Sequence, residues 1–149
     1  MVKKIERSKA TKNKSKKNKG KKNIPDNALQ RKIDYNNTNP FLSFKFVDES
    51  KWKLEKWKGK ELTDLIKCFK TIETIKWKEV LRHPGLNCKP VVNPPKINSQ
   101  GVSPEVTIYE MRVCKKKRIM GFRDKDVFCI TWFDRDHSIC SEGKNRKYG

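Results

Sequence analysis

Between Val106 and Cys140 two apolar runs, Lys117–Phe122 and Val127–Phe133, are separated only by Arg123-Asp124-Lys125-Asp126. Runs rich in β-branched and aromatic residues, joined by a short charged turn, predict a β-hairpin. Val106–Val113 alternates on its own account (Val106, Ile108, Met111, Val113) and leads into Cys114-Lys115-Lys116-Lys117, a second turn. The stretch therefore predicts three consecutive antiparallel strands, ending at Asp134-Arg135-Asp136-His137. Because it holds most of the β-branched and aromatic residues, it should be the core sheet.

The rest of the chain has to cover that sheet. Phe41–Val47 alternates and is aromatic, which predicts a strand; Trp52, Leu54 and Trp57 alternate loosely, as a short strand or an extended loop. Leu62, Leu65, Ile66 and Phe69 recur at helical spacing, with Ile72 and Ile75 extending the stripe. A break is expected over Thr71–Thr74. A second, shorter helix follows over Ile75–Leu81 and is stopped by Pro84-Gly85. His83–Pro104 carries five prolines and two glycines and reads as a long loop, with Val91-Val92 able to add a short strand. The order is strand, two helices, then a three-stranded antiparallel meander, an α+β fold with both helices on one face of an antiparallel sheet.

Charge divides the chain. The net charge is +20, and Met1–Lys22 alone holds eleven basic residues against Glu6, with almost nothing to bury. Such a segment predicts a disordered arm. Residues 1–39 are thus expected as a lysine-rich arm and linker, 40–141 as the α+β domain, and 142–149 as a basic tail. The 127 residues after Lys22 are still basic, which favours a polyanionic partner such as RNA or DNA. The competing explanation is solvated charge in a chain rich in Lys, Asn and Ile. No apolar run is long enough for a membrane span, and the N-terminus lacks the apolar segment of a secretory signal. Cys68, Cys88, Cys114, Cys129 and Cys140 are scattered with no CxxC pair, which suits a reducing cytoplasm and small core residues better than a zinc knuckle or disulfide framework.

Arg112-Val113, Lys117–Phe122, Asp126–Phe133 and His137, set in this βααβββ order, resemble the RelE/ParE superfamily of bacterial toxins. The chain is similar more closely to a set of uncharacterised bacterial relatives of these toxins, through Trp77-Lys78-Glu79-Val80, Arg118–Phe122 and the ending Trp132-Phe133-Asp134-Arg135-Asp136-His137, and the resemblance covers roughly Phe41–Ser141. It implies a cytoplasmic toxin that cleaves mRNA, on the ribosome or off it, without metal or cofactor, and that is neutralised by a cognate antitoxin protein. It also implies roles: Arg118 at the scissile phosphate, Arg112 as a second phosphate group, and His137 as acid/base. The sequence departs from the family in three ways. No Tyr follows His137, Glu79 is the one evident acid on the second helix, and the lysine-rich arm is not a familiar feature of these toxins.

The chemistry has its own logic. Metal-free RNA cleavage needs a base for the 2′-hydroxyl, cations for the phosphorane and an acid for the leaving oxygen. Histidine moves protons near neutrality, and arginine stays charged and donates as a fork. Period two puts Arg112 on the side of Glu110 and Cys114, and strand pairing can bring Arg118 close. The base is open between Glu110 and Glu79. Lys115, Lys116, Lys117, Arg123 and Arg135 are the candidate nucleic-acid contacts. The plainer readings are that the arginines are solvated sheet edges and that His137 pairs with Asp134 or Asp136 in its turn. A metal held by Asp134, Asp136 and His137 is a weak third option. His83 reads as a helix C-terminal cation, and Trp77 and Trp132 as core. Two other functions fit the same residues: a non-catalytic RNA- or DNA-binding module, and a ParE-like toxin that binds a protein.

Overall fold

A computed structural model of the chain describes residues 32–97 and 100–139. The arm expected over Met1–Lys22, most of the linker, and the tail lie outside the described residues. The fold is α+β. Five strands form one mixed sheet: β1 (Phe41–Ser43), β2 (Lys89–Pro90), β3 (Ile108–Cys114), β4 (Lys117–Asp124) and β5 (Val127–Asp134), in the order β1-β5-β4-β3-β2. β1 runs parallel to β5 and every other pairing is antiparallel. Two helices precede the meander, α1 (Lys60–Thr74) and α2 (Trp77–Val80).

The meander forms as the alternation predicts, but its turns are tighter. Two residues each, Lys115-Lys116 and Lys125-Asp126, join the strands, and the first residue of each turn has positive φ (39° and 57°). Left-handed residues match the twist of flanking antiparallel strands, so four residues are not needed. β4 and β5 are buried on both faces, which is why they read as continuous apolar runs. Met111, Ile119, Phe128, Ile130 and Phe133 pack against the helical layer; Ile108, Met120, Phe122, Cys129 and Trp132 pack on the other face under Val91 and Ile139. Trp77 and Trp132 are both core, as expected.

Irregularities place the side chains. Between Met120 and Gly121 the β4–β5 register shifts, so that Thr131 is bulged out. Its hydroxyl donates to Met120 O and its carbonyl accepts from Asp48 N. A Cβ on Gly121 would collide with the carbonyl oxygen of Cys129, so the close approach of β4 to β5 depends on glycine there.

Several elements differ from the sequence expectation. The first strand ends at Ser43, because Phe44–Val47 closes a turn through Val47 N to Phe44 O. That turn sends Phe44 to α1, edge-on against Phe69, and Phe46 to the opposite face against Phe122. Leu54–Lys56 is a 3-10 turn rather than a strand. α1 runs through Thr71 and stops at Thr74, where Ile75 turns extended, so the break falls at the end of the expected window; the hydroxyls of Thr71 and Thr74 bond back to Lys67 O and Thr71 O in this last turn. Its buried stripe is Leu65, Cys68 and Ile72, while Leu62 and Ile66 stay exposed. The extra strand in the long loop is Lys89–Pro90, immediately before the valines. Part of the expected linker belongs to the fold: Asp34 caps a 3-10 turn at Tyr35–Asn37, and Thr38 O accepts from Trp77 N.

Candidate functional site

Alternation along β3 sends Glu110 and Arg112 to the face of the sheet away from the helices, since Met111 between them packs into the helical core. Arg118 of β4 stands opposite Arg112, and Asp134 of β5 stands opposite Arg118. The expected third member of the Glu110 row, Cys114, is not there. A register shift between Arg112 and Cys114 turns Cys114 to the helical side, beside Asp64 of α1.

His137 reaches the group through the turn after β5. The Asp134 carboxylate, fully buried, accepts from Ser138 N at 2.9 Å and Ile139 N at 3.0 Å. This folds the chain back over the sheet, where Ile139 enters the core. His137 takes a left-handed φ of 57° in that turn. Its Nε2 lies 3.7 Å from Oε2 of Glu110, and Lys89 Nζ lies 3.3 Å from Oε1 of the same carboxylate. His137 therefore pairs with neither Asp134 nor Asp136, and among the described residues these three do not form a group that could hold a metal ion. Glu110 is 2% exposed and the His137 side chain 28%. Burying a carboxylate is tolerable only with charge partners of this kind.

The two arginines differ. Arg118 is 7% exposed, and its Nη1 donates to Lys115 O at 2.6 Å and Lys117 O at 2.9 Å, closing the β3–β4 turn. Burial lowers its pKa, the neighbouring Arg112 lowers it further, and Glu110 and Asp134 oppose both. Arg112 is only partly buried; its Nε is shielded from solvent and has no hydrogen-bond partner among the described residues, which is also true of His137 Nε2. Unsatisfied buried polar atoms are uncommon in native folds, and two of them here fall on one sheet face.

The candidate nucleic-acid contacts separate in the same way. Lys115 and Lys116 are exposed at the turn. Lys117 pairs with Glu61 at 3.3 Å, and Arg135 grips the same carboxylate with two bonds of 2.9 and 2.8 Å. The Arg135 fork is the first cause of the low pKa of Glu61, about 2. Arg123 lies 4.4 Å over the Trp77 ring and donates to Asn36 Oδ1 at 2.8 Å. Glu79 sits in the helical layer, where its carboxylate accepts from Lys76 N at 2.8 Å at the start of α2. His83 Nδ1 accepts from Gly85 N and Leu86 N, so it holds a turn rather than a helix C-terminus.

The structure thus brings Glu110, Arg112, Arg118 and His137 to one face and leaves Glu79 on the other. Sequence reasoning missed Lys89, which carries no signal beyond its charge; only the β2–β3 register puts it opposite Glu110. It also missed a cleft of about 340 Å³ between the 50–56 loop and the end of β5. Compared with protein-family models, curated proteins and solved structures, the chain matches none of them significantly.

Proposed function

We propose that this protein is a metal-independent endoribonuclease of the RelE kind, with His137 at its reacting centre. The observation that supports this reading is the Glu110–His137 contact on the same sheet face as the Arg112–Arg118 pair. A carboxylate 3.7 Å from one imidazole nitrogen, beyond hydrogen-bond range, steadies by its charge the imidazolium that forms when the other nitrogen takes a proton. With Nε2 turned to Glu110, His137 Nδ1 removes the 2′-hydroxyl proton. The O2′ attacks phosphorus, the P–O5′ bond breaks, and O5′ takes a proton from water. The products are a 2′,3′-cyclic phosphate and a free 5′-hydroxyl. Arg112 stabilises the phosphorane charge. Arg118 acts through position, holding the Lys115-Lys116 turn and raising the local positive potential. In this reading the polyanion is RNA, free or on the ribosome, and the protein partner is a neutralising antitoxin.

A second reading, RNA binding without chemistry, is favoured by one observation. Arg118 spends Nη1 on backbone carbonyls, while the exposed cations Lys115 and Lys116 lie at the tip of the turn. Incubation with labelled RNA in EDTA, with ribosomes and without, separates the two. Cleavage to cyclic phosphate ends that is lost in His137→Ala and Arg112→Ala, with affinity retained, is the expected result. Salt-dependent binding with no cleavage in either setting sinks the nuclease reading in favour of the second.

A further inference from the structure

We infer that the cleft between the 50–56 loop and the end of β5 is a binding site for a single nucleotide, with a cationic rim for the phosphate and Trp52 for the base. The inference does not rest on RNA cleavage. The cleft, about 340 Å³, lies in the size range of small-ligand sites, which begins near about 300 Å³. Lys51 and Lys56 line it, are exposed, and make no ion pair among the described residues. Arg135 lines it too, its guanidinium fixed in plane by the two bonds to Glu61. Lys53 adds a fourth cation, loosely paired to Glu55 at 3.7 Å. Two acids line the same space, but Asp136 pairs with Arg135 and the Asp134 carboxylate is fully buried and consumed by Ser138 and Ile139. The rim is therefore positive.

Trp52 supplies the aromatic wall. Its backbone takes a left-handed φ of 45°, unusual for a bulky residue and of a kind that clusters at ligand sites. The conformation is fixed on both sides: Trp52 O accepts from Phe133 N, and the indole N–H donates to Ser138 Oγ at 3.0 Å. The ring meets Trp132 edge-on at 5.7 Å. An indole held in place beside free lysines is how sequence-tolerant sites take nucleotides, the base stacking and the phosphate pairing. A sugar or an apolar ligand would leave Lys51 and Lys56 without a partner, and a bare anion would make no use of the half-exposed indole.

The same chemistry is available from a free nucleotide or from one residue of a strand. Of the four tryptophans, Trp57, Trp77 and Trp132 are buried, so Trp52 is the fluorophore a ligand in the cleft can reach. The full chain would be titrated with 5′-AMP, with adenosine, and with a five-residue deoxyadenylate strand, which lacks the 2′-hydroxyl and is not cleaved by transesterification. Saturable quenching by 5′-AMP or by the strand is expected, with affinity at least about tenfold weaker in Lys51→Glu/Lys56→Glu and unchanged in Lys67→Ala/Lys70→Ala, two exposed lysines of α1. Response to 5′-AMP assigns a free nucleotide; response to the strand alone assigns a strand residue. Trp52→Phe should lose the quench while calorimetry still detects binding. The inference is overturned by any of three results: no saturable quench by either ligand, adenosine binding as well as 5′-AMP, or affinity indifferent to Lys51→Glu/Lys56→Glu.

Discussion

Oε2 of Glu110, on the third strand, and Nε2 of His137, beyond the fifth, are 3.7 Å apart, and Lys89 closes on the other oxygen of the same carboxylate from the edge strand. Three separate segments meet on one buried charge. Glu110→Gln keeps the shape and removes the charge. In the proposed nuclease it should lower cleavage by about 100-fold or more, the scale of a lost general-base arrangement, with RNA affinity little changed. Single-turnover cleavage beside equilibrium binding reads this out. Equal loss of both would mark Glu110 as structural only.

Gly121 faces the backbone of Cys129 and Ile130 at the bulge. Gly121→Ala must separate β4 from β5 or shift Thr131, and overpacking of this kind costs about 1–3 kcal/mol. Urea unfolding should show a lower midpoint at unchanged slope. An unchanged midpoint would mean that the bulge relaxes freely.

Glu61 holds an acid-sensitive contact between α1 and the sheet. Its folded pKa is about 2 against an ordinary 4.5, because Arg135 and then the Lys58 amide and Lys117 favour the carboxylate. A depressed pKa gives stability that is present above the unfolded value and lost as pH falls through the folded one. The wild type should therefore lose stability between pH about 4.5 and about 2, and Glu61→Gln should flatten that limb. Thermal midpoints across the window test it. Parallel curves would show that the contact is already screened.

Arg123 is placed for packing. Arg123→Ala removes the stack on Trp77 and the bond to Asn36, a loss on the order of 1 kcal/mol. Arg123→Lys should restore little, because an ammonium neither stacks nor forks. RNA affinity should not move. A tenfold drop in affinity with stability intact would return Arg123 to the nucleic-acid surface.

Burial drives the thiols of Cys68 and Cys88 up to about 12, with smaller contributions from Cys114 and Glu110 respectively. Thiolate is the reactive form, so both should resist a thiol reagent near pH 8 in the native protein and react on unfolding. Peptide mapping of the labelled protein gives the sites. Rapid native labelling of Cys68 would show that α1 lifts from β3.

Period-two alternation and two charged turns determined the meander, because a half-turn per residue is written directly in apolar spacing. The same periodicity put Glu110 and Arg112 on one side, and the paired runs brought Arg118 across. Helix spacing determined α1 in place and length, yet not its facing. Leu62 and Ile66 fit the stripe as well as Cys68 does, and packing against Met111 and Ile119 chose among them. Local rules also failed where the chain breaks period. The bulge at Val113 moved Cys114 across the sheet, and the turn at Phe44 split two aromatic residues between its faces. Lys89, the capped turn at Asp134 and the cleft beside Trp52 belong to the tertiary structure alone. Each depends on segments more than twenty residues apart or on a backbone conformation that spacing does not encode. What the sequence could determine was periodic and local; which charges meet was decided by strand register and burial, which no local window contains.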